Sequence, residues 1–172
     1  LRIYTNIHDA TVRLTVEAAM SDDLSFTIEI PSDEDGFVLL QCPQCGEFFK
    51  LRPSDYESDD VLEVCCPACG IASDNYLTED VIDLAMAICK NKAFDAIHKE
   101  MKKLERRTKG KTVSFKAGKQ PRPDDEPVLQ PSIDTLAVTT CKHCGKQSKV
   151  SRLLSMSMYV CPLCGVSNFN DR

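Results

Sequence analysis

Eight of the ten cysteines in this 172-residue chain fall into four C-x-x-C-G turns: Cys42-Pro43-Gln44-Cys45-Gly46, Cys66-Pro67-Ala68-Cys69-Gly70, Cys141-Lys142-His143-Cys144-Gly145 and Cys161-Pro162-Leu163-Cys164-Gly165. Thiolates two residues apart face one cation only if the backbone folds tightly between them. A glycine after the second cysteine suits that turn because it reaches positive φ without steric cost. Proline after the first cysteine pre-sets φ in three of the turns, and Lys142 stands there in the fourth. Two such turns brought together present four sulfurs tetrahedrally, the preferred shell of a structural zinc ion. Twenty residues separate Cys45 from Cys66 and sixteen separate Cys144 from Cys161, close to the zinc spacing C-x2-C-x15-20-C-x2-C. The expectation is two Zn2+ per chain, one on Cys42, Cys45, Cys66 and Cys69, the other on Cys141, Cys144, Cys161 and Cys164.

The flanks repeat as well. FVLLQCPQCGEFFKL (37–51) aligns with LAVTTCKHCGKQSKV (136–150) shifted by one, and Val61–Gly70 resembles Ser157–Gly165. Cys66 then matches Cys161, and Cys65 falls opposite Val160. Cys65 reads as a spare, strand-borne cysteine; its rival role is an alternative fourth ligand. Both halves resemble zinc ribbons, small β-hairpin modules of transcription factors, ribosomal proteins and bacterial accessory proteins. The whole arrangement is similar to uncharacterised bacterial double-zinc-ribbon proteins with two ribbons flanking a helix. The resemblance covers about 37–70 and 136–168 and implies a fold and a metal, not an activity. The Cys161–Gly165 turn also looks like a rubredoxin knuckle, which would bind iron. The partner turn lacks the tyrosine rubredoxins place just beyond it, and the interval between turns is shorter.

Disulfides are the competing use of ten cysteines, yet cross-linked secreted domains rarely place nearly all of them in C-x-x-C-G pairs. No apolar stretch with a cleavage site is visible near Leu1, and no run approaches eighteen apolar residues. A reducing cytoplasm is the expected compartment.

The elements that must position these turns read as an α+β chain. Val12, Leu14 and Val16 alternate with polar residues, as do Leu24, Phe26, Ile28 and Ile30, so both segments predict half-buried strands that extend or cover a ribbon sheet. The divisions are an N-terminal β segment (1–36), ribbon 1 (37–77), a long helix (78–109), a basic strand with a Pro-rich linker (110–135) and ribbon 2 (136–172). The helix is expected to start at an N-cap Thr78 and end at Gly110. Its stripe is Ile82, Met86, Cys89, Ala93, Ile97, Met101 and Leu104, widened early by Val81, Leu84, Ala85 and Ile88. Asp95–Lys99 and Glu105–Lys109 are i,i+4 ion pairs. Val113, Phe115 and Ala117 suggest a short basic strand. Gln120–Pro131 holds four of nine prolines and reads as a stiff linker separating ribbon 2 from the rest.

The net charge of −5 hides a separation: 90–122 carries +9 and the remainder −14. Four thiolates close each zinc shell and leave no position for activating water, and His8, His98 and His143 are scattered, with His98 and His143 expected on the surface. No P-loop, G-x-S-x-G or paired-carboxylate motif is present, so the chain is not expected to be an enzyme. Cys89 reads as a small apolar residue on the stripe. Of Phe48 and Phe49, one should seal the ribbon core. Two functions remain. One is a non-catalytic adaptor that binds a protein partner, or a second copy, through the 81–104 helix. The alternative is nucleic-acid binding through the basic 90–122 region and ribbon 2, which lean on Lys142, Lys146, Lys149 and Arg152 but have few aromatics and an overall pI near 5.2.

Overall fold

A computed structural model describes residues 2–8, 11–17, 26–110, 114–129, 133 and 135–169. It combines antiparallel sheets with one long helix. Arg2–His8 (β1), Thr11–Glu17 (β2) and Phe26–Pro31 (β3) form a three-stranded sheet in that order. Val12, Leu14 and Val16 are the register partners of Ile30, Ile28 and Phe26. Strand β1 was not expected, although Ile3, Tyr4, Thr5 and Ile7 are good strand formers. Leu24 lies outside the described residues.

Of the two arrangements expected, extending or covering the first cysteine module's sheet, extension does not occur: β1-β2-β3 is a separate sheet that touches β4 through Val38. The buried face of β3, Phe26, Ile28 and Ile30, packs with Val81 and Val38 and against Leu77, Leu84, Ala85, Ile88 and Cys89. The wide apolar face at the start of the helix is a larger partner than the ribbon edge, and each large side chain so buried contributes roughly 1.5–3 kcal/mol. The link to the next strand is a single bridge, Ser32 to Val38.

After Val38–Gln41 (β4), Phe48–Leu51 (β5) and the turn Pro53–Tyr56 (α1), the long helix α2 runs Glu79–Thr108. Thr78 has extended backbone, but its side chain makes no capping bond. Glu79 and Asp80 instead suit the positive helix end, and Asp80 accepts from the Val81 amide. Residues 114–129 hold no strand, contrary to the expected Phe115–Ala117 pairing; Val113 lies outside the described residues. They form a strap running back along α2. The Phe115 amide donates to Thr108 Oγ1, Gln120 donates to Asp95, and Asn91 and Asp124 exchange side-chain-to-backbone bonds of 3.0 and 2.7 Å. Asp95 thus meets Gln120 where Lys99 was expected; among the described residues the ion pair within the helix is Glu100–Lys103, and Lys90 pairs with Asp124 of the strap. His98, expected on the surface, is buried on this helix.

The second cysteine module comprises Leu136–Thr140 (β6), Gln147–Ser151 (β7), Arg152–Met156 (α3), Met158–Val160 (β8) and Ser167–Phe169 (β9). The linker does not hold it apart. Strands β5 and β7 pair, giving one four-stranded sheet β4-β5-β7-β6 across both modules. The pairing joins Lys50 to Lys149, which occupy the same position in the internal repeat. Reciprocal bonds follow the same rule: the Cys65 amide donates to the Pro162 carbonyl, and the Val160 amide to the Pro67 carbonyl, both at 2.9 Å. Leu51 and Val150, also equivalent, are both fully buried. The modules therefore meet across a local two-fold axis, as an isologous dimer would, within one chain. Each hairpin edge is covered by its counterpart, which removes an exposed strand edge.

Candidate metal centres

All four C-x-x-C-G turns close with the same two backbone bonds. The glycine amide donates to the first cysteine's carbonyl (Gly46 to Cys42, Gly70 to Cys66, Gly145 to Cys141, Gly165 to Cys161) at 2.9–3.0 Å. The first cysteine's amide donates to the carbonyl five residues on, at Glu47, Ile71, Lys146 and Val166. The four glycines have φ between 69° and 75°, the left-handed conformation this closure requires.

The turns bring the predicted cysteines together in the expected sets. Cys42, Cys45, Cys66 and Cys69 form one group and Cys141, Cys144, Cys161 and Cys164 the other, with ligand atoms all within 4.8 Å of one another. The measured Sγ–Sγ edges are 3.8 Å (Cys42–Cys69), 3.6 Å (Cys45–Cys66), 3.7 Å (Cys141–Cys164) and 3.7 Å (Cys144–Cys161). A tetrahedron with metal–sulfur bonds of about 2.3 Å has edges of about 3.8 Å. A disulfide would need about 2.05 Å, and all ten cysteines are free thiols. The donor set and its dimensions fit a tetrathiolate metal ion.

The surroundings favour charge on particular sulfurs. Burial opposes ionisation of Cys42, but the Cys45 and Gln44 amides outweigh it and bring the thiol down to about 7. For Cys141 the same opposition is outweighed by the Cys144 and His143 amides and the Asn168 side-chain amide, giving about 6. Asn168 Nδ2 lies 3.4 Å from Cys141 Sγ and also donates to the Val166 carbonyl, which fixes its orientation. Burial pushes the Cys66 and Cys161 thiols up. Cys45 and Cys164 are raised as well, so each group holds one thiol prone to ionise and two that resist until a cation compensates them, and metal uptake releases protons.

One apolar cluster joins the two centres: Phe49 and Leu51, both fully buried, pack with Tyr76, Leu163 and the buried cysteines of both groups. Phe49 meets Tyr76 edge to face at 5.3 Å, while Phe48 is half-buried. The Tyr76 hydroxyl lies 2.9 and 3.0 Å from the Val64 and Ile71 carbonyls, tying the second turn to the loop before it. Cys65 belongs to neither group. It forms a bridge with Ala72, and its thiol is pushed up by burial and then by Glu63. Cys89 packs against the β3 core, and His143 is exposed.

Between the centres lies a cluster that the sequence did not disclose. Lys50 and Lys149 both donate to Asp33 Oδ2, at 3.0 and 2.9 Å, and Lys149 also reaches Asp35. Lys149 and the Arg52 guanidinium lie 4.8 and 4.3 Å from the Phe37 ring centroid, and Arg52 donates to Gln147. The acidic turn after β3 thus neutralises two lysines that the local symmetry forces side by side. Burial would raise the Asp33 pKa, but bonds from Lys149, the Phe37 amide and Lys50 outweigh it and lower it. Burial likewise opposes the charge on Lys149, and Asp35 and Asp33 raise its pKa. The identical repeat position of the two lysines was the signal available in the sequence.

Compared with protein families, curated proteins and solved structures, the chain has no match. Among the described residues no helix is long and apolar enough to cross a membrane.

Proposed function

We propose that this protein is a non-catalytic, zinc-binding adaptor whose two zinc ribbons form one rigid platform beside the long helix. The observation that carries this reading is the closure of each centre by four cysteine sulfurs at tetrahedral spacing. Such an ion has no position left for substrate or water and acts as a structural prop. Zinc is preferred over iron because the partner turn lacks the tyrosine of rubredoxins and the interval between turns is shorter, while closed tetrathiolate shells are typical of structural zinc. The platform would fix the geometry from which the helix and its exposed apolar residues meet a protein.

Nucleic-acid binding is the second reading, favoured by one observation: Lys99, Lys102, Lys103, Arg106, Arg107 and Lys109 are all exposed at the end of α2. Of the four cations named in the second ribbon, Arg152 is exposed and the three lysines are engaged within the chain. Lys149 is held by Asp33 and Asp35, Lys146 donates to the Asp55 carbonyl and Lys142 to the Phe169 carbonyl. The deciding experiment is a pull-down with the zinc-loaded chain, with protein and nucleic-acid fractions analysed together. The adaptor reading predicts nuclease-resistant protein capture. Capture abolished by nuclease, with gel-shift affinity that falls steeply with salt, would replace it with the second reading.

A further inference from the structure

Helix α2 has one long face that nothing in the described chain covers. Its first half turns Val81, Leu84, Ala85 and Ile88 to the β3 sheet, and its second half carries the strap anchors Asn91, Asp95 and Thr108. Ile82, Met86, Ala93, Ile97 and Leu104 fall together within a sector of about 60° on a helix of 100° per residue, bordered on one side by Cys89, which packs on the β3 core, and on the other by Lys90 and Thr108, which the strap holds. Ile82, Met86, Ile97 and Leu104 are 40, 66, 56 and 47 % exposed, a row of large apolar side chains running most of the helix length. Isolated exposed apolar residues need no explanation, but a continuous stripe does.

The charges bordering this stripe name its occupant. The first turns carry Glu79, Asp80 and Asp83; the last carry Lys99, Lys102, Lys103, Arg106 and Arg107. A second α2 laid parallel would set like charge on like. Laid antiparallel about Ala93, residues equidistant from that centre come level across the seam: Ile82 with Leu104, Ile97 with Cys89, Met86 with Glu100, and at the ends Glu79 with Arg107. The small Ala93 side chain sits on the two-fold axis, where close helix approach requires it. Glu100, the acid inside the stripe, is already held by Lys103 at 2.6 Å. We propose that this face joins two copies of the chain in an antiparallel, two-fold pair of α2 helices. The proposal rests on the reading of this helix as the adaptor's binding element and names a second copy as its occupant; it does not depend on which metal fills the centres.

The test is the mass of the zinc-loaded full chain by sedimentation and light scattering over a concentration series. Wild type is expected to dimerise at roughly 50 µM or below. Arg107→Glu replaces two attractive contacts per dimer by two repulsive ones and should raise the dissociation constant roughly tenfold at low salt. Glu79→Arg combined with Arg107→Glu reverses both partners and should return it to near the wild-type value. Ile97→Asp should give a monomer that retains its metal, which shows that the fold is intact. A wild-type monomer throughout, a dimer indifferent to Ile97→Asp, or an Arg107→Glu defect that the charge swap fails to rescue would each overturn the antiparallel pair. A wild-type chain that stays monomeric yet captures a different protein would rule out the antiparallel pair and leave the adaptor reading standing, so the two failures are distinguishable.

Discussion

Asp33→Asn probes how the two modules are held together. Both ammonium groups touch one Asp33 oxygen, at 3.0 and 2.9 Å, which keeps the two nitrogens within about 5.9 Å of each other. At an effective dielectric constant of about 20, their repulsion is at least about 3 kcal/mol, which the Asp33 carboxylate offsets in the wild type and Asp33→Asn leaves uncompensated. Lys50 is 2 % exposed, so water cannot relieve the loss of the carboxylate. Asp35 still serves Lys149 but is itself 60 % exposed and worth less. The expected cost is about 3 kcal/mol, at the low end for breaking a buried ion pair. In a chain of this size that lowers the melting temperature by roughly 6–12 °C. Urea and thermal unfolding in excess zinc would measure it. Adding Lys149→Met should recover much of the loss, because the surviving lysine then has no like neighbour.

The pH dependence of the same difference follows from the shifts. Asp33 has a lowered folded pKa, so its contribution is complete above the unfolded value near 3.8 and disappears as pH falls through the folded one. Lys149 has a raised folded pKa, so its contribution is complete below 10.5 and is lost as pH rises through the folded value. The gap between wild type and Asp33→Asn should therefore stay flat from about pH 6 to 9. A cost below about 0.5 kcal/mol, or a gap that slopes across that range, would refute the role given to Asp33.

Other substitutions test the centres themselves. Phe49→Ala removes a fully buried ring that meets Tyr76 edge to face, and should cost about 3–5 kcal/mol in thermal unfolding with zinc present. Gly165→Ala forces a side chain into φ of 69° with only Cys65 Sγ nearby, at 3.9 Å, so strain alone should cost about 1–2 kcal/mol, and Gly165→Asn should cost less. Cys65→Val, which copies Val160 at the equivalent position, should leave the metal content measured by atomic emission unchanged; loss of one equivalent would restore Cys65 as a ligand.

The parts of this chain that were legible in its sequence are those decided locally. A C-x-x-C-G turn closes through bonds spanning four or five residues, so its outcome is written in those residues. The helix was also readable, since Val81, Leu84 and Ile88 recur at its period and Gly110 stops it. What was hidden depends on distant partners. Lys50 and Lys149 lie 99 residues apart, and nothing near either one says that they pair, or that Asp33 must neutralise both. The alternation at Phe115 and Ala117 resembled a strand because these two residues are half-buried between exposed Ser114 and Lys116, while the rest of the strap from 118 to 128 is exposed. His98 looked like a surface residue among lysines, and only the folded chain shows it buried. Thr78 had the right type for a cap, yet its side chain makes no such bond.

The most direct measurement is X-ray absorption on the purified zinc-loaded chain, combined with native mass spectrometry for stoichiometry. Two ions per chain, each with four sulfurs at about 2.3 Å and no lighter ligand, is the predicted result. One ion or none, nitrogen or oxygen in the shell, or cysteines joined in pairs would contradict it.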